Sequence, residues 1–339
     1  MNRNGYLLIL MLMFVICAFA PNTEKDKALK KAYKTLKKEF PEFVFIPSGQ
    51  FIVQNDSFPY GKFIDNNPSV KTLMSFYMSK YEVTNGKWKA FVSDVKANIK
   101  GDSFRQLLPD STLWVSNGVN YNEPMKVYYY RHPAYENYPV VNVSIEQCMA
   151  YCKWLEQKMK ETEMSALKNL TVRIPYDLEW QYAAKGGNDY NKYPWGGPYV
   201  RNAKGHYLAN FRVIPQDEAQ KVKGQIVLKM DYKTVSVTPN SQSASASMIT
   251  APVNMYFEND FGLYQMAGNV AEFVLPPSDE DLKPILENYG ITRGGSFFDP
   301  AHYMKCSVRD FYPKDSSAHF TRGFRPVLTF KREQGNFKY

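Results

Sequence analysis

Apolar and polar positions fall in short, distinct runs along this chain, and the spacing within each run predicts its structure. Tyr6 to Ala20 is almost wholly apolar behind a positive start at Arg3. At ~15 residues the run is too short to cross a bilayer comfortably, and it reads as the core of a signal peptide over residues 1–20. In the Lys-rich stretch 21–41, Leu29, Tyr33 and Leu36 keep helical spacing, which predicts a short amphipathic tether outside the core. Phe43-Val44-Phe45-Ile46 and Gln50-Phe51-Ile52-Val53 flank Pro47-Ser48-Gly49, a strand–turn–strand pattern, and Ser75-Phe76-Tyr77-Met78 predicts another strand. Thr84-Asn85 caps a helix that buries Trp88 and Phe91. Ser144 caps a second, with Ile145, Cys148, Tyr151, Cys152 and Leu155 on one face. Asp177 is the expected cap of a third, through Trp180, Tyr182 and Ala183, stopping at Gly186-Gly187.

Two stretches lack clear periodicity. Residues 94–133, with the run Tyr128-Tyr129-Tyr130, and residues 212–251, with the small-residue tract Ser243 to Ser247, are expected to be insertions. They interrupt one body at 42–330, followed by a short tail at 331–339. The last third is a series of short elements parted by Gly, which predicts a single irregular α+β domain with little regular secondary structure.

Charge changes this picture only locally. The net +9 is concentrated in the Lys-rich stretch, and the body carries no Arg-rich stripe, so a nucleic-acid reader is excluded. Aromatic residues make up 15 % of the chain, enough to supply both a core and a contact surface. Cys148, Cys152 and Cys306 give no disulfide framework, and Cys148 with Cys152 reads as two small buried groups on one helix face. Near the N-terminus, Ala18-x-Ala20 has the form of a cleavage site. Cys17 is the alternative processing point, as a lipidated residue, although Ile16 stands where a lipobox has a small side chain; an uncleaved anchor is the third reading. His132, His206, His302 and His319 show no metal-binding spacing.

Eight short motifs occur in a known order: Phe45-Ile46-Pro47-Ser48-Gly49, Tyr81-Glu82-Val83-Thr84-Asn85, Tyr138 to Ser144, Arg173 to Ala184, Tyr193-Pro194-Trp195-Gly196, Gly262 to Glu272, Arg293-Gly294-Gly295-Ser296 and Gly323-Phe324-Arg325. Together they resemble the sulfatase-modifying-factor, or formylglycine-generating-enzyme, family, whose fold has a C-type-lectin-like core. Tyr121-Asn122-Glu123-Pro124, Arg131 to Tyr135, Tyr193 to Asn202 and Leu208 to Phe211 look most like the non-enzymatic GldK/PorK branch, with GldJ as a near relative. That resemblance implies a lipoprotein at the periplasmic face of the outer membrane. It implies a place in a ring-forming type IX secretion and gliding-motility complex, with a GldN/PorN-like partner close to GldL and GldM.

The enzymes of this family hold copper with two thiolates, the soft ligands that Cu(I) needs. In this chain the matching positions are Asp299 and Met304, with Cys306 two residues beyond. No copper and no catalytic residue are therefore expected. The former cleft is expected to hold Asp299, Met304, Cys306, Arg309 and Arg325, the arginines paired with Asp299 or Asp310. The family's structural calcium site maps onto Gln265, Gly268, Val270 and Glu272, and a weaker second one begins at Asn210 and Phe211; the alternative is a tight turn with no ion. The leading function is a non-catalytic scaffold. A metal-dependent oxidase with displaced ligands and a peptide- or glycan-binding module are its rivals.

Overall fold

Apolar runs near the start of the chain form strands β1 (Phe43–Ile46), β2 (Gly49–Phe58), β3 (Asp65–Leu73) and β4 (Phe76–Ser79). The computed structural model describes residues 34–58, 65–98, 101–115, 122–162, 169–213, 219–222, 225–228, 249–277 and 282–330. The signal run, Cys17, most of the tether, the Ser243 to Ser247 tract and the tail lie outside the described residues. Helices α1 (Asn85–Asn98), α2 (Glu123–Tyr128) and α3 (Ile145–Glu161) follow. Then come β5 (Leu170–Arg173), α4 (Asp177–Lys185) and the hairpin of β6 (Ala219–Val222) and β7 (Gln225–Leu228). The last third supplies β8 (Ala271–Val274), β9 (Tyr289–Arg293), β10 (Val308–Pro313), β11 (Arg322–Gly323) and β12 (Val327–Phe330).

Two sheets organise these pieces. An antiparallel sheet runs in the order β1-β4-β12-β5, so that the first and last parts of the body pair directly, with Val327 opposite Met78. A mixed sheet runs β11-β8-β9-β10-β2-β3, with parallel pairs at β11/β8 and β10/β2. Short strands from distant parts of the chain and irregular connections make this an α+β body.

The apolar periodicities become packing. Ser144 Oγ accepts from the Gln147 N–H at 3.3 Å while Gln147 Oε1 accepts from the Ser144 N–H at 2.7 Å, a reciprocal capping box that starts α3. The inward face of α3 carries Cys148, Tyr151 and Cys152. Tyr151 stacks on Trp88 of α1 at 5.6 Å between ring centroids, and Phe324 meets both rings edge-on. Trp88 donates its indole N–H to the Leu107 carbonyl at 2.8 Å, so the ring is buried without an unpaired donor.

Three expectations change. Residues 34–39 are helical and Leu36 is fully buried in the same cluster as Trp88, so this end of the Lys-rich stretch belongs to the core. Residues 94–133 contribute to the core as well as to the surface: Trp114 and Tyr129 pack with Val141, Val270, Phe297 and Phe320 in a separate buried cluster. Within the tyrosine run only Tyr128 is broadly exposed, and the Tyr129 hydroxyl lies 2.6 Å from both the Pro139 carbonyl and Thr250 Oγ1. Asp177 is the first residue of α4 and not its cap. The Tyr176 N–H donates to Glu179 Oε2 instead, and the Asp177 side chain turns inward. The helix does end at Gly186, whose φ of +63° suits glycine.

Candidate functional site

The five residues expected to share a cleft are scattered into separate environments. Asp299 folds back on its own loop, its Oδ2 accepting from the Ser296 N–H at 2.8 Å and from Ser296 Oγ at 2.6 Å. Burial raises its carboxyl above the ordinary range, against the lowering effect of Ser296. Asp310 is pushed further, to about 7, by burial and then by the charge of Asp299; Arg322 works in the other direction. Met304 is fully buried among Tyr193, Tyr207, Phe211 and Ala267. Cys306 sits in a different apolar cluster, with Trp180, Val274 and Ile291. Burial pushes its thiol up to about 12, so it stays protonated. Cys148 and Cys152 are likewise buried and raised by desolvation. No pair of thiolates forms here, and a carboxylate, a thioether and a neutral thiol in three settings do not fit copper.

The arginines have other partners than expected. Arg309 does not pair with Asp299 or Asp310. Its Nη2 reaches Asp177 Oδ2 at 2.7 Å, and Arg293 holds the same carboxylate through Nε to Oδ1 at 2.6 Å and Nη2 to Oδ2 at 2.9 Å. The remaining Arg293 Nη1 donates to the carbonyls of Cys306 and Val308. All three side chains are buried. Burial alone would raise Asp177, but the two guanidiniums outweigh it and hold the carboxyl near 2.

Arg325 meets Glu272 instead. Its Nε lies 2.9 and 2.8 Å from the two carboxylate oxygens, its Nη2 2.6 Å from Oε1, and Trp180 Nε1 donates to Oε2 at 2.7 Å. Arg325 also donates to the carbonyls of Ser79, Lys80 and Tyr264, tying β4 to the Gly262–Glu272 motif. A second buried carboxylate, Glu82, accepts from Asn269 Nδ2 at 3.0 Å. Burial drives Glu82 well above the usual carboxylate range, and nearby Glu272 adds to the shift.

Asn269 is the knot of the turn, at φ +64°. Its N–H donates to the Asn210 carbonyl, its Oδ1 accepts from the Ala251 N–H at 2.6 Å, and its carbonyl accepts from the Phe297 N–H. Gly268 before it cannot be replaced, because a Cβ there would lie 2.3 Å from the Asn210 carbonyl oxygen. Of the residues expected to hold calcium, Gln265 leaves its Oε1 buried without a hydrogen-bond partner, an orphaned acceptor of the kind an ion takes. Glu272, the charged member of the expected set, faces a guanidinium and an indole N–H, and Gln265 donates its amide to the Pro252 carbonyl. At the second expected site Asn210 donates to the Ile249 carbonyl, and the Phe211 ring packs edge-on against Tyr207. Among the described residues no three His, Cys, Asp or Glu side chains gather as metal ligands. His319 is half-buried against Phe320 with Nδ1 2.7 Å from Thr321 Oγ1, while His132 and His206 are exposed.

The order and packing of these motifs agree with comparison against known proteins. Residues 29–330 match the model of the sulfatase-modifying factor enzyme 1-like domain. The chain belongs to this family. It is 26 % identical to the formylglycine-generating enzyme of Bos taurus, over 84 % of this chain and 74 % of that protein. It is 27 % identical to the formylglycine-generating enzyme of Thermomonospora curvata, over 83 % and 91 %. A Mus musculus protein named inactive C-alpha-formylglycine-generating enzyme 2 is 24 % identical over 84 % and 85 %. The solved structure of PvdO from Pseudomonas aeruginosa shares the fold, with a TM-score of 0.52 at 19 % identity, over 85 % of this chain and 94 % of that one. The sulfatase-modifying-factor family thus contains both enzymes and proteins named inactive, and membership alone leaves catalysis to be argued from the side chains.

Proposed function

We propose that this chain is a non-catalytic member of the sulfatase-modifying-factor family, a structural component of a type IX secretion and gliding-motility complex at the periplasmic face of the outer membrane. A lipid at Cys17 holds it to the membrane, and a GldN/PorN-like protein near GldL and GldM binds its folded body within a ring. The observation that carries the non-catalytic part is the fate of the former cysteine positions. Asp299 is hydrogen-bonded within its own turn, Met304 is core, and the neighbouring Cys306 is a protonated, buried thiol. Chemistry that needs two thiolates finds no foothold in those three environments. The relatives named inactive show that the family accommodates loss of catalysis. For the scaffold part, the broadly exposed rings of Tyr190, Tyr199 and Phe257 offer apolar contact area, with a hydroxyl edge on the two tyrosines.

Two experiments test the reading. Purified protein incubated with copper, oxygen and a cysteine-containing peptide is expected to form no aldehyde. Aldehyde formation by the wild-type chain would end the non-catalytic reading. Crosslinking in cells followed by mass spectrometry is expected to recover a GldN/PorN-like partner, and a chain that crosslinks only to itself or to nothing rejects the proposed complex.

A further inference from the structure

Strand β3 ends the six-stranded sheet, and among the described residues no strand lies on its outer side. It has nine residues, whereas the other strands that end a sheet have four or fewer. Long open edges are uncommon, because their unpaired N–H and C=O groups invite another chain. Val70 in β3 and Met74 just beyond it are 64 % and 58 % exposed, so apolar side chains accompany this open backbone.

The pairing with β2 fixes which backbone groups point outward. Ile52 of β2 stands opposite Val70. Its N–H donates to Asp189 Oδ1 at 2.8 Å and its carbonyl accepts from Lys185 Nζ at 2.8 Å, so both groups turn away from β3. Residues directly opposite in an antiparallel ladder exchange both bonds or neither. Val70 therefore directs its own N–H and C=O to the open side, and Thr72, two residues on, does the same. Pro68 shares this orientation but has no N–H, which closes the ladder at that end. The N–H and C=O of Val70 and Thr72 are left for an added strand.

Lys71 decides what can fill that place. It lies between the two outward residues, is exposed, and makes no ion pair with another described residue. Two copies of β3 paired through both Val70 and Thr72 would set Lys71 directly against Lys71 of the second copy, and like charges opposite each other are destabilising. A carboxylate in the same place is favourable.

We propose that β3 takes up an extended segment of another protein as an antiparallel strand, with Asp or Glu opposite Lys71 and β-branched or aromatic residues opposite Val70 and Thr72. Backbone bonds supply the affinity, and the acidic residue sets the register. This assignment does not rest on the scaffold reading, because any protein with such a segment can pair with this edge.

The test uses the whole chain and isothermal titration with the blocked heptapeptide Ser-Thr-Val-Glu-Val-Thr-Ser, alongside a counterpart with Lys in place of Glu. The Glu peptide is expected to bind about fivefold more tightly, the effect of exchanging a like cross-strand charge for an opposite one. Lys71→Glu, at an exposed side chain, is expected to reverse that order while thermal unfolding stays unchanged. Thr72→Pro, which deletes an outward N–H and no bond to β2, is expected to weaken both peptides about tenfold. The Glu peptide is also expected to slow amide hydrogen exchange at Val70 and Thr72 and to leave Lys71, whose N–H faces β2, unchanged. Self-association of the chain through β3 with neither peptide bound, affinity indifferent to the charge opposite Lys71, or no binding at millimolar peptide overturns the proposal.

Discussion

Helix α4 contributes to two buried ion clusters built from the same ingredients in opposite proportions. At Asp177 one carboxylate serves two guanidiniums, Arg293 and Arg309; three residues along, Trp180 leads to a cluster where Glu272 and Glu82 have one guanidinium, Arg325. The two disposals of surplus charge differ because the groups differ. An arginine does not give up its proton in a protein, so the surplus guanidinium is spread over the carbonyls of Cys306 and Val308. A carboxylate can take up a proton, and burial pushes Glu82 toward doing so, with the charge of Glu272 adding to the shift. One cluster is a fixed charge, and the other is a carboxyl pair with an adjustable one.

The sharpest way to break the comparison is Asp177→Asn, which strands two buried guanidiniums with no carboxylate. A loss of about 3–5 kcal/mol in urea unfolding is expected, the scale of a broken buried pair. Glu272→Gln should cost less, about 2 kcal/mol, because Glu82 can ionise and face Arg325 in its place. Combining it with Glu82→Gln removes that substitute, and the double variant should lose more than the two single losses added together, as read from a double-mutant cycle. Strict additivity would show that Glu82 and Glu272 do not share the arginine.

The pH dependence separates the clusters by sign. Asp177 is held near 2 in the fold, so its contribution is present above the ordinary aspartate range and is lost as pH falls toward 2. That loss is about 2 kcal/mol between pH 4 and 2, and it should be absent in Asp177→Asn. Glu82 is raised, so its contribution is complete below the ordinary glutamate range and declines as pH climbs toward its folded value. Glu82→Gln should flatten the stability profile on that side. The smallest expected effect is that of Cys306→Ala, about 1 kcal/mol, since Arg293 uses the backbone carbonyl of Cys306 and not its sulfur. A loss as large as that of Asp177→Asn would mean that the thiol itself supports the cluster.

What could be read from the sequence was local. The Ser144 cap, the buried face of α3 and the glycine end of α4 each depend on residues a few positions apart, and the structure has them where spacing placed them. Asp177 looked like a cap for the same reason, because Asp before an apolar helix usually serves that role. Its real partners lie 116 and 132 residues away, a distance that no local rule spans. Residues 94–133 showed no period because their helical pieces are short, and Trp114 and Tyr129 acquire meaning only when they meet Phe320. That neither Asp299 nor Met304 is a cysteine was legible directly from residue types. The partners of Arg309 and Arg325 were not, since several acidic residues were equally available in the sequence.

Burial of Leu36 sets a leash on the whole body. With the proposed lipid at Cys17 and Leu36 locked in the same cluster as Trp88, at most 18 residues of chain, 18–35, separate the bilayer from the folded mass. Even drawn out straight, that length reaches about 65 Å. On that proposal, a partner ring built on this chain would assemble within this distance of the membrane surface, a depth set by the docked leucine.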